Sequence, residues 1–344
     1  MTSLRVGVIG LGLFGEAHLQ AFQGIPGVEV VAVASRSGEH SRVIAARYDV
    51  PHAFDDYLAL CQHPEVDAVT IATEESLHLA PAIAALKAGK HVFVEKPLAD
   101  NRAGALAIRD AAQNASGRLM PGHIVRFEAR FATLHDAIKS GSLGTIAALH
   151  ASRNRPRTTL STYGRCHPAL ITAIHDLDAM LWMMPELPTR VRAWQTLDTS
   201  ENGIYGIWGT LSFPSGAIAT IEATWMMPTD TGLDCGDTFS VVGTKGVANI
   251  DMGAAGFRIL HSYRTMIPEL GYGPTIHGVV GGALQAELSH FARIAKDPNL
   301  PAVASFDDGV RAVIAAEAMI ESAIRNEEIV TPWPEDLIQS ARRD

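Results

Sequence analysis

Cysteine is scarce in this sequence, and its placement suggests no framework. The 344 residues include 3 cysteines, Cys61, Cys166 and Cys235. They are too few, too scattered and odd in number for a disulfide scaffold, so they read as buried or bystander thiols of a reducing compartment. No run reaches the roughly 18 uncharged apolar residues that a membrane span needs. Met1 to Val6 leads straight into a strand pattern, without the charged segment, apolar stretch and small-residue cleavage site of a secretion signal. The expected location is the cytoplasm, with no membrane partner. Basic charge is also short: 28 Lys plus Arg stand against 37 Asp plus Glu, a net charge of -9, with no Lys/Arg run. That balance offers no broad surface for neutralising phosphates, so nucleic acid is not an expected partner. With 47% apolar and 19% charged residues, disorder is excluded as the dominant state. The length points to about two domains.

The first 120 or so residues alternate short β-branched runs with longer Ala/Leu-rich stretches. Val6 to Ile9, Val28 to Val33, Ala68 to Ile71 and His91 to Val94 read as strands buried on both faces, and residues 14–24, 38–47, 76–88 and 102–115 as helices between them. This alternation predicts right-handed βαβ units and a doubly wound parallel sheet. After Gly122 the beat breaks. Helices are expected near 128–139, 170–184, 283–296 and 307–324, with strands near 145–154, Ile204 to Phe213, Ala217 to Trp225 and Thr238 to Val242. The turns joining the later strands suit a mainly antiparallel sheet. The fold class is thus α/β, with a nucleotide-type domain over 1–122 and an α+β domain over 123–344, whose last helix is free to pack back on the first domain.

Gly10-Leu11-Gly12-Leu13-Phe14-Gly15 matches G-x-G-x-x-G directly after the first strand and at the mouth of the first helix. Gly10 suits a tight turn, Gly12 a close approach of a pyrophosphate, and Gly15 close packing of helix on strand; Leu13 and Phe14 flank the same site. About 20 residues on, an acid would read the ribose 2'-hydroxyl of NAD(H). The chain has Ala34-Ser35-Arg36-Ser37 instead, a hydroxyl and a guanidinium that suit a 2'-phosphate, so NADP(H) is favoured. An Arg36 that merely stacks on adenine would tolerate both cofactors. The fourth predicted strand ends in Glu95-Lys96-Pro97, where Pro97 biases Lys96 away from helical angles and places it beyond the carboxyl end of the sheet.

The glycine turn, Ala72-Thr73 with His78, Glu95-Lys96-Pro97, Gly122 to Phe127 and Ala173-Ile174-His175-Asp176 together resemble the Gfo/Idh/MocA oxidoreductases, a family that includes glucose-fructose oxidoreductase and inositol 2-dehydrogenase. The resemblance runs from Val6 to about Ile329. It implies a Rossmann domain followed by an open-faced, mainly antiparallel sheet commonly used for oligomer contact. It also implies reversible oxidation of a sugar or cyclitol hydroxyl by a nicotinamide cofactor. Carried over residue by residue, it assigns catalysis to Lys96 and His175. Cofactor contacts fall on Gly10, Gly12, Leu13, Phe14, Gly15, Ser35, Arg36, Thr73, His78, Glu95 and Lys96.

The chain departs from the family in two places. Relatives commonly have an aspartate four residues before the histidine, where this chain has Ile171; Thr172 or Asp176 is expected to supply part of the missing hydrogen bonding. Asp178 either orients the histidine or anchors helices. After Thr73 the chain has Glu74-Glu75, which face ribose hydroxyls or solvent. On the substrate side the expected residues are His123, Arg126, Asn154, Tyr163, Thr172 and His175, with Arg126 and Arg153 equally suited to salt bridges between domains. Cys166, His167, His175 and Asp178 lack zinc-ligand spacing, so no metal is expected, and no Gly-x-Ser-x-Gly elbow is present.

The expected function is hydride transfer between NAD(P) and a secondary hydroxyl of a sugar, a sugar derivative (nucleotide-linked ones included) or a cyclitol. Rivals are redox-assisted glycoside cleavage with retained cofactor and a non-catalytic cofactor sensor. The apolar meander calls for cover, hence an expected homodimer or homotetramer.

Overall fold

The computed structural model describes residues 3–197, 203–229, 236–253, 257–260, 265–268 and 270–341. Cys235 lies outside the described residues. The chain divides into two compact units, the first made of Met1–Phe127 with Tyr272–Val310 and the second of Glu128–Gly271 with Arg311–Asp344.

In the first unit, β1 (Leu4–Ile9), β2 (Val28–Ala34), β3 (His52–Phe54), β4 (Ala68–Ile71), β5 (His91–Glu95) and β6 (Leu119–Gly122) form one sheet of order β3-β2-β1-β4-β5-β6. Every pair in it is parallel. The helices α1 (Leu13–Gln23), α2 (Gly38–Arg47), α3 (Tyr57–Gln62), α4 (Leu79–Lys87) and α5 (Arg102–Gln113) make the crossovers. All of β4 and all but the first residue of β5 are buried, as strands must be when helices cover both faces. The order reverses between β1 and β4, which opens a crevice beyond their carboxyl ends. The short edge strand β3 was not foreseen. His-Ala-Phe is neither apolar nor long enough to announce itself, and its strand character comes from pairing with Ala32, Val33 and Ala34.

A continuous second domain over 123–344 is not what forms, because Tyr272–Val310 returns to the first unit. The returning helix, Gly282–Lys296, buries Leu284, Leu288 and Phe291 in the core that also holds Leu19, Phe22, Phe93 and Met120. Phe291 and Phe93 meet edge to face with ring centroids 5.6 Å apart. Arg118 closes the end of this helix by donating to the carbonyls of Ile294 (3.2 Å) and Leu300 (2.7 Å). A stripe of this kind belongs to the core that it fills, whatever its distance in sequence.

The second unit contains α6 (Ala129–Lys139), β7 (Ile146–Pro156), α7 (Thr158–Tyr163) and a π-helical turn, Ala169–Ala173, that runs into α8 (Ile174–Met183). Strands β8 (Arg190–Leu197), β9 (Ile204–Ser212), β10 (Ile218–Met227), β11 (Gly236–Gly243) and β12 (Val247–Asp251) follow. The sheet order is β12-β11-β7-β10-β9-β8, with Ile329–Val330 at the far edge. All pairs are antiparallel except β7 with β10. Alternation along β7 sends Leu149, Ala151 and Arg153 to the helix-covered face, where Arg153 meets α8. His150, Ser152 and Asn154 point the other way, in register with Thr220, Glu222 and Thr224. That second face also carries Trp194 and Ile218, both exposed. None of the described helices is long and apolar enough to cross a membrane.

Candidate active site

The glycine turn has the geometry a phosphate cradle needs. Gly10 sits at φ +90°, and a Cβ there would lie 2.6 Å from the Ala72 carbonyl oxygen; one on Gly15 would lie 1.8 Å from the Gly10 oxygen. At Gly12 a Cβ would meet nothing within 4 Å, so the surface before it is open. Gly12 is also the N-cap of α1 and offers no side-chain cap, which leaves the first amides of an 11-residue helix available to an anion. Leu13 and Phe14 are exposed beside it. A pyrophosphate-bearing dinucleotide fits this arrangement. His40, which the sequence reading did not single out, donates from Nε2 to the Leu11 carbonyl at 2.9 Å and so pins the turn to α2.

After β2 the Ser35 hydroxyl donates to the Ser37 carbonyl (2.9 Å) and lies 2.9 Å from Ser41 Oγ, closing its own turn. Arg36 extends into solvent with 84% of its side chain exposed, 3.7 Å from Glu74. Thr73 donates from its hydroxyl to the Glu74 carbonyl at 3.3 Å. His78 is buried: Nδ1 lies 2.8 Å from the Pro97 carbonyl and Nε2 3.2 Å from that of Thr73, so its ring sits between the Thr73 turn and the Lys96-Pro97 turn and, when neutral, donates to one of the two. Burial pushes the His78 ring below its usual pKa, against the pull of the two carbonyls. The Lys96-Pro97 peptide bond is cis.

Glu95 turns inward beneath Lys96. Its Oε1 lies 2.9 Å from His18 Nε2, its Oε2 accepts from the Lys96 amide at 3.1 Å, and His18 Nδ1 lies 2.9 Å from Thr70 Oγ1. Burial raises the pKa of this carboxyl, but the His18 ring and the Lys96 charge outweigh it and hold Glu95 below the usual carboxylate range. A buried chain from β4 through α1 to β5 thus fixes the residue before the lysine. His18 was missed; one signal for it is a lone imidazole on an apolar helix three residues past Gly15.

Two residues assigned to substrate are internal to the first unit. His123 is buried, and Arg126 donates from NH1 to the Val303 carbonyl (2.8 Å) and to Asp308 (3.2 Å), so its guanidinium holds the returning segment.

In the second unit His175 is the one residue of Ala169–Leu181 that is not buried. The π-helical turn before it is the kind of irregularity that often re-aims side chains at functional sites. Asp176, expected to share the hydrogen bonding, is taken up entirely: its two oxygens accept from Arg153 at 2.7 and 2.8 Å, and Arg153 reaches Asp237 at 2.6 Å, with Arg155 on the same carboxylate. Thr172 accepts from the Trp225 indole at 2.7 Å. Ile171 packs with Tyr205 and Trp225 in a buried apolar cluster, and Leu160, Tyr163 and Cys166 lie against them. Asp178 is buried. Asn154 does not face α8. Its amide donates to Ser152 Oγ (2.9 Å) and Glu222 Oε1 (3.0 Å), and it accepts from Thr224, all on the opposite face of the sheet.

These features define a dinucleotide-binding unit with a lysine at the carboxyl end of its sheet, and a second unit with a mixed sheet and a histidine helix. Residues 4–123 match the family described as oxidoreductases with an NAD-binding Rossmann fold, and residues 131–249 match the Gfo/Idh/MocA C-terminal domain. The chain is 39% identical over 140 residues to a 4-carboxy-2-hydroxymuconate-6-semialdehyde dehydrogenase of Sphingobium sp., covering 41% of this chain and 44% of that protein. It is 30% identical over 226 residues to a myo-inositol 2-dehydrogenase of Thermotoga maritima, covering 64% and 68%. The chain spans about half the length of several of the curated relatives it matches, 44% to 56% for the first three. In fold it resembles scyllo-inositol dehydrogenase from Lactobacillus casei with bound NAD(H) and scyllo-inositol, with a TM-score of 0.82 at 19% identity over 96% of this chain and 100% of that one. The chain belongs to the Gfo/Idh/MocA oxidoreductase family.

Proposed function

We propose that this chain is a nicotinamide-dependent dehydrogenase that oxidises a secondary hydroxyl of a sugar, sugar derivative or cyclitol, with NADP(H) favoured over NAD(H). One observation carries the reading: the uncapped, open N-terminus of α1 after β1 and the Lys96-Pro97 turn after β5 lie at the same, carboxyl end of one parallel sheet, with β4 between the two strands. When bound, the nicotinamide supplies the hydride chemistry. The chain supplies the rest. Glu95, fixed by His18, sets the backbone from which Lys96 projects, and the lysine ammonium stabilises alkoxide charge as it develops on the substrate oxygen. His175, the accessible imidazole of its helix, takes the hydroxyl proton and returns it in the reverse direction. The exposed Arg36 beside Ser35, with no acid at the end of β2, supports recognition of a 2'-phosphate.

The Ile171 cluster favours a second reading of the substrate. Ile171, apolar where the resemblance leads one to expect a carboxylate four residues before His175, supports a less hydroxylated molecule, and the relative at 39% identity is named for a carboxylated semialdehyde. An assay with NAD and NADP separately against inositols, free sugars, nucleotide-linked sugars and carboxylated aldehydes separates the two. Lys96→Ala is expected to lower kcat by about 10²- to 10³-fold while cofactor affinity, read by fluorescence titration, changes little. A variant that turns over normally removes Lys96 from the chemistry.

A further inference from the structure

We infer that His52, His63 and Glu65 form a binding site for a divalent transition-metal ion, zinc in the first instance, at the end of the first unit's sheet remote from the glycine turn. His52 opens β3, and His63 to Glu65 precede β4, so all three stand at the amino ends of parallel strands whose carboxyl ends carry the glycine and lysine turns. One possible ligand atom from each lies within 4.8 Å of the other two. His52 Nε2 and Glu65 Oε2 are already 2.6 Å apart, and the two imidazole rings have centroids 4.3 Å apart. Phe54 backs both rings, at 6.4 Å from His52 and 5.5 Å from His63.

The loop that carries two of the ligands is built in place. Lys90 donates from Nζ to the carbonyls of His63 (3.0 Å) and Val66 (2.6 Å), and Arg5 is paired with Asp67 at 2.7 Å. Two imidazoles and a carboxylate suit zinc, with bonds of about 2.0–2.1 Å and water completing the tetrahedron; magnesium and calcium prefer all-oxygen sets. A metal here takes the place of the hydrogen bond that bridges His52 and Glu65 and clips the three-residue edge strand to the turn before β4. The ligands come from the start of strand β3 and from the loop before β4, without the paired spacing of a zinc motif, which is why the sequence gives no sign of them.

The test is a titration of zinc chloride into the chelator-treated full chain by calorimetry, alongside thermal unfolding. Expected are one saturable site with Kd below about 100 µM, weakened about tenfold or more in His52→Gln and in His63→Gln. A Tm that rises with the first equivalent of zinc in the unaltered chain but not in the double variant completes the expected result. The side chains replaced are partly exposed, so the variants are expected to fold, and their circular dichroism checks this. Zinc binding as tight in the double variant as in the unaltered chain, or no saturable binding at that concentration, overturns the proposal.

Discussion

The two units use buried charge in different ways. In the first, charged and polar side chains fasten loops: His78 sits between two turns, Glu95 with His18 sets the lysine turn, and Arg126 and Arg118 hold the returning segment. In the second, the main buried charges fasten a helix to a sheet, with Arg153 between Asp176 of α8 and Asp237 of β11. Loop-fastening groups can be altered with local consequences, whereas an ion cluster inside a layer is part of the core. The difference teaches that proximity in sequence to a reactive residue is a poor guide to function when the neighbour points inward, as Asp176 does beside His175.

The largest effect that sharpens this contrast is expected from Asp176→Asn. Among the described residues it leaves the buried Arg153 to share Asp237 with Arg155, and breaking a buried pair in this way costs about 3–5 kcal/mol. Urea unfolding of the variant measures it. A loss under about 1 kcal/mol would mean that the cluster behaves like a surface pair and that the contrast fails.

How much of this was legible depended on whether the backbone or a side-chain direction decided the outcome. Gly10 and Gly15 are demanded by backbone geometry, and the buried runs of β4 and β5 by two covered faces, so they could be read directly. Family resemblance assigned roles to Lys96 and His175. The partners of Asn154 and Arg126 were hidden for a different reason. Along a strand a shift of one residue changes the face, and a guanidinium near a domain boundary can turn either way. The departure at Ile171 was visible; that it joins Tyr205 and Trp225 was not, because those residues come from β9 and β10. The return of Gly282–Lys296 to the first unit was equally hidden, since an apolar stripe does not name its partner.

A middling effect comes from pH. His78 is held below its unfolded value by burial, so below about pH 6.5 the unfolded chain takes up a proton that the native ring refuses. Stability from this group is therefore complete above that pH and falls as pH drops toward the depressed native value, by at most about 1.4 kcal/mol per pH unit. His91, His167 and His290 are depressed in the same direction, also chiefly by burial, and add to the slope. Denaturant unfolding between pH 7 and 5 should show a steeper acid loss in the unaltered chain than in His78→Gln. Equal slopes would show that the His78 ring is not held neutral, and that the first unit's fastening does not depend on the ring's charge.

The smallest effect tests the other unit's sheet directly. Asn154 hydrogen-bonds to Ser152, Glu222 and Thr224 on the face opposite Arg153 and α8. If that face is structural for the monomer and remote from the substrate, Asn154→Ala costs about 0.5–1.5 kcal/mol of stability, the worth of an ordinary hydrogen bond, and leaves KM for the best substrate within about twofold, under 0.5 kcal/mol of binding. A tenfold rise in KM with unchanged stability would instead put Asn154 in contact with substrate. The alternation along β7 would then have failed as a guide, and the second unit's polar groups would have to be assigned afresh, beginning with Ser152 and Glu222, which share its face and its hydrogen bonds.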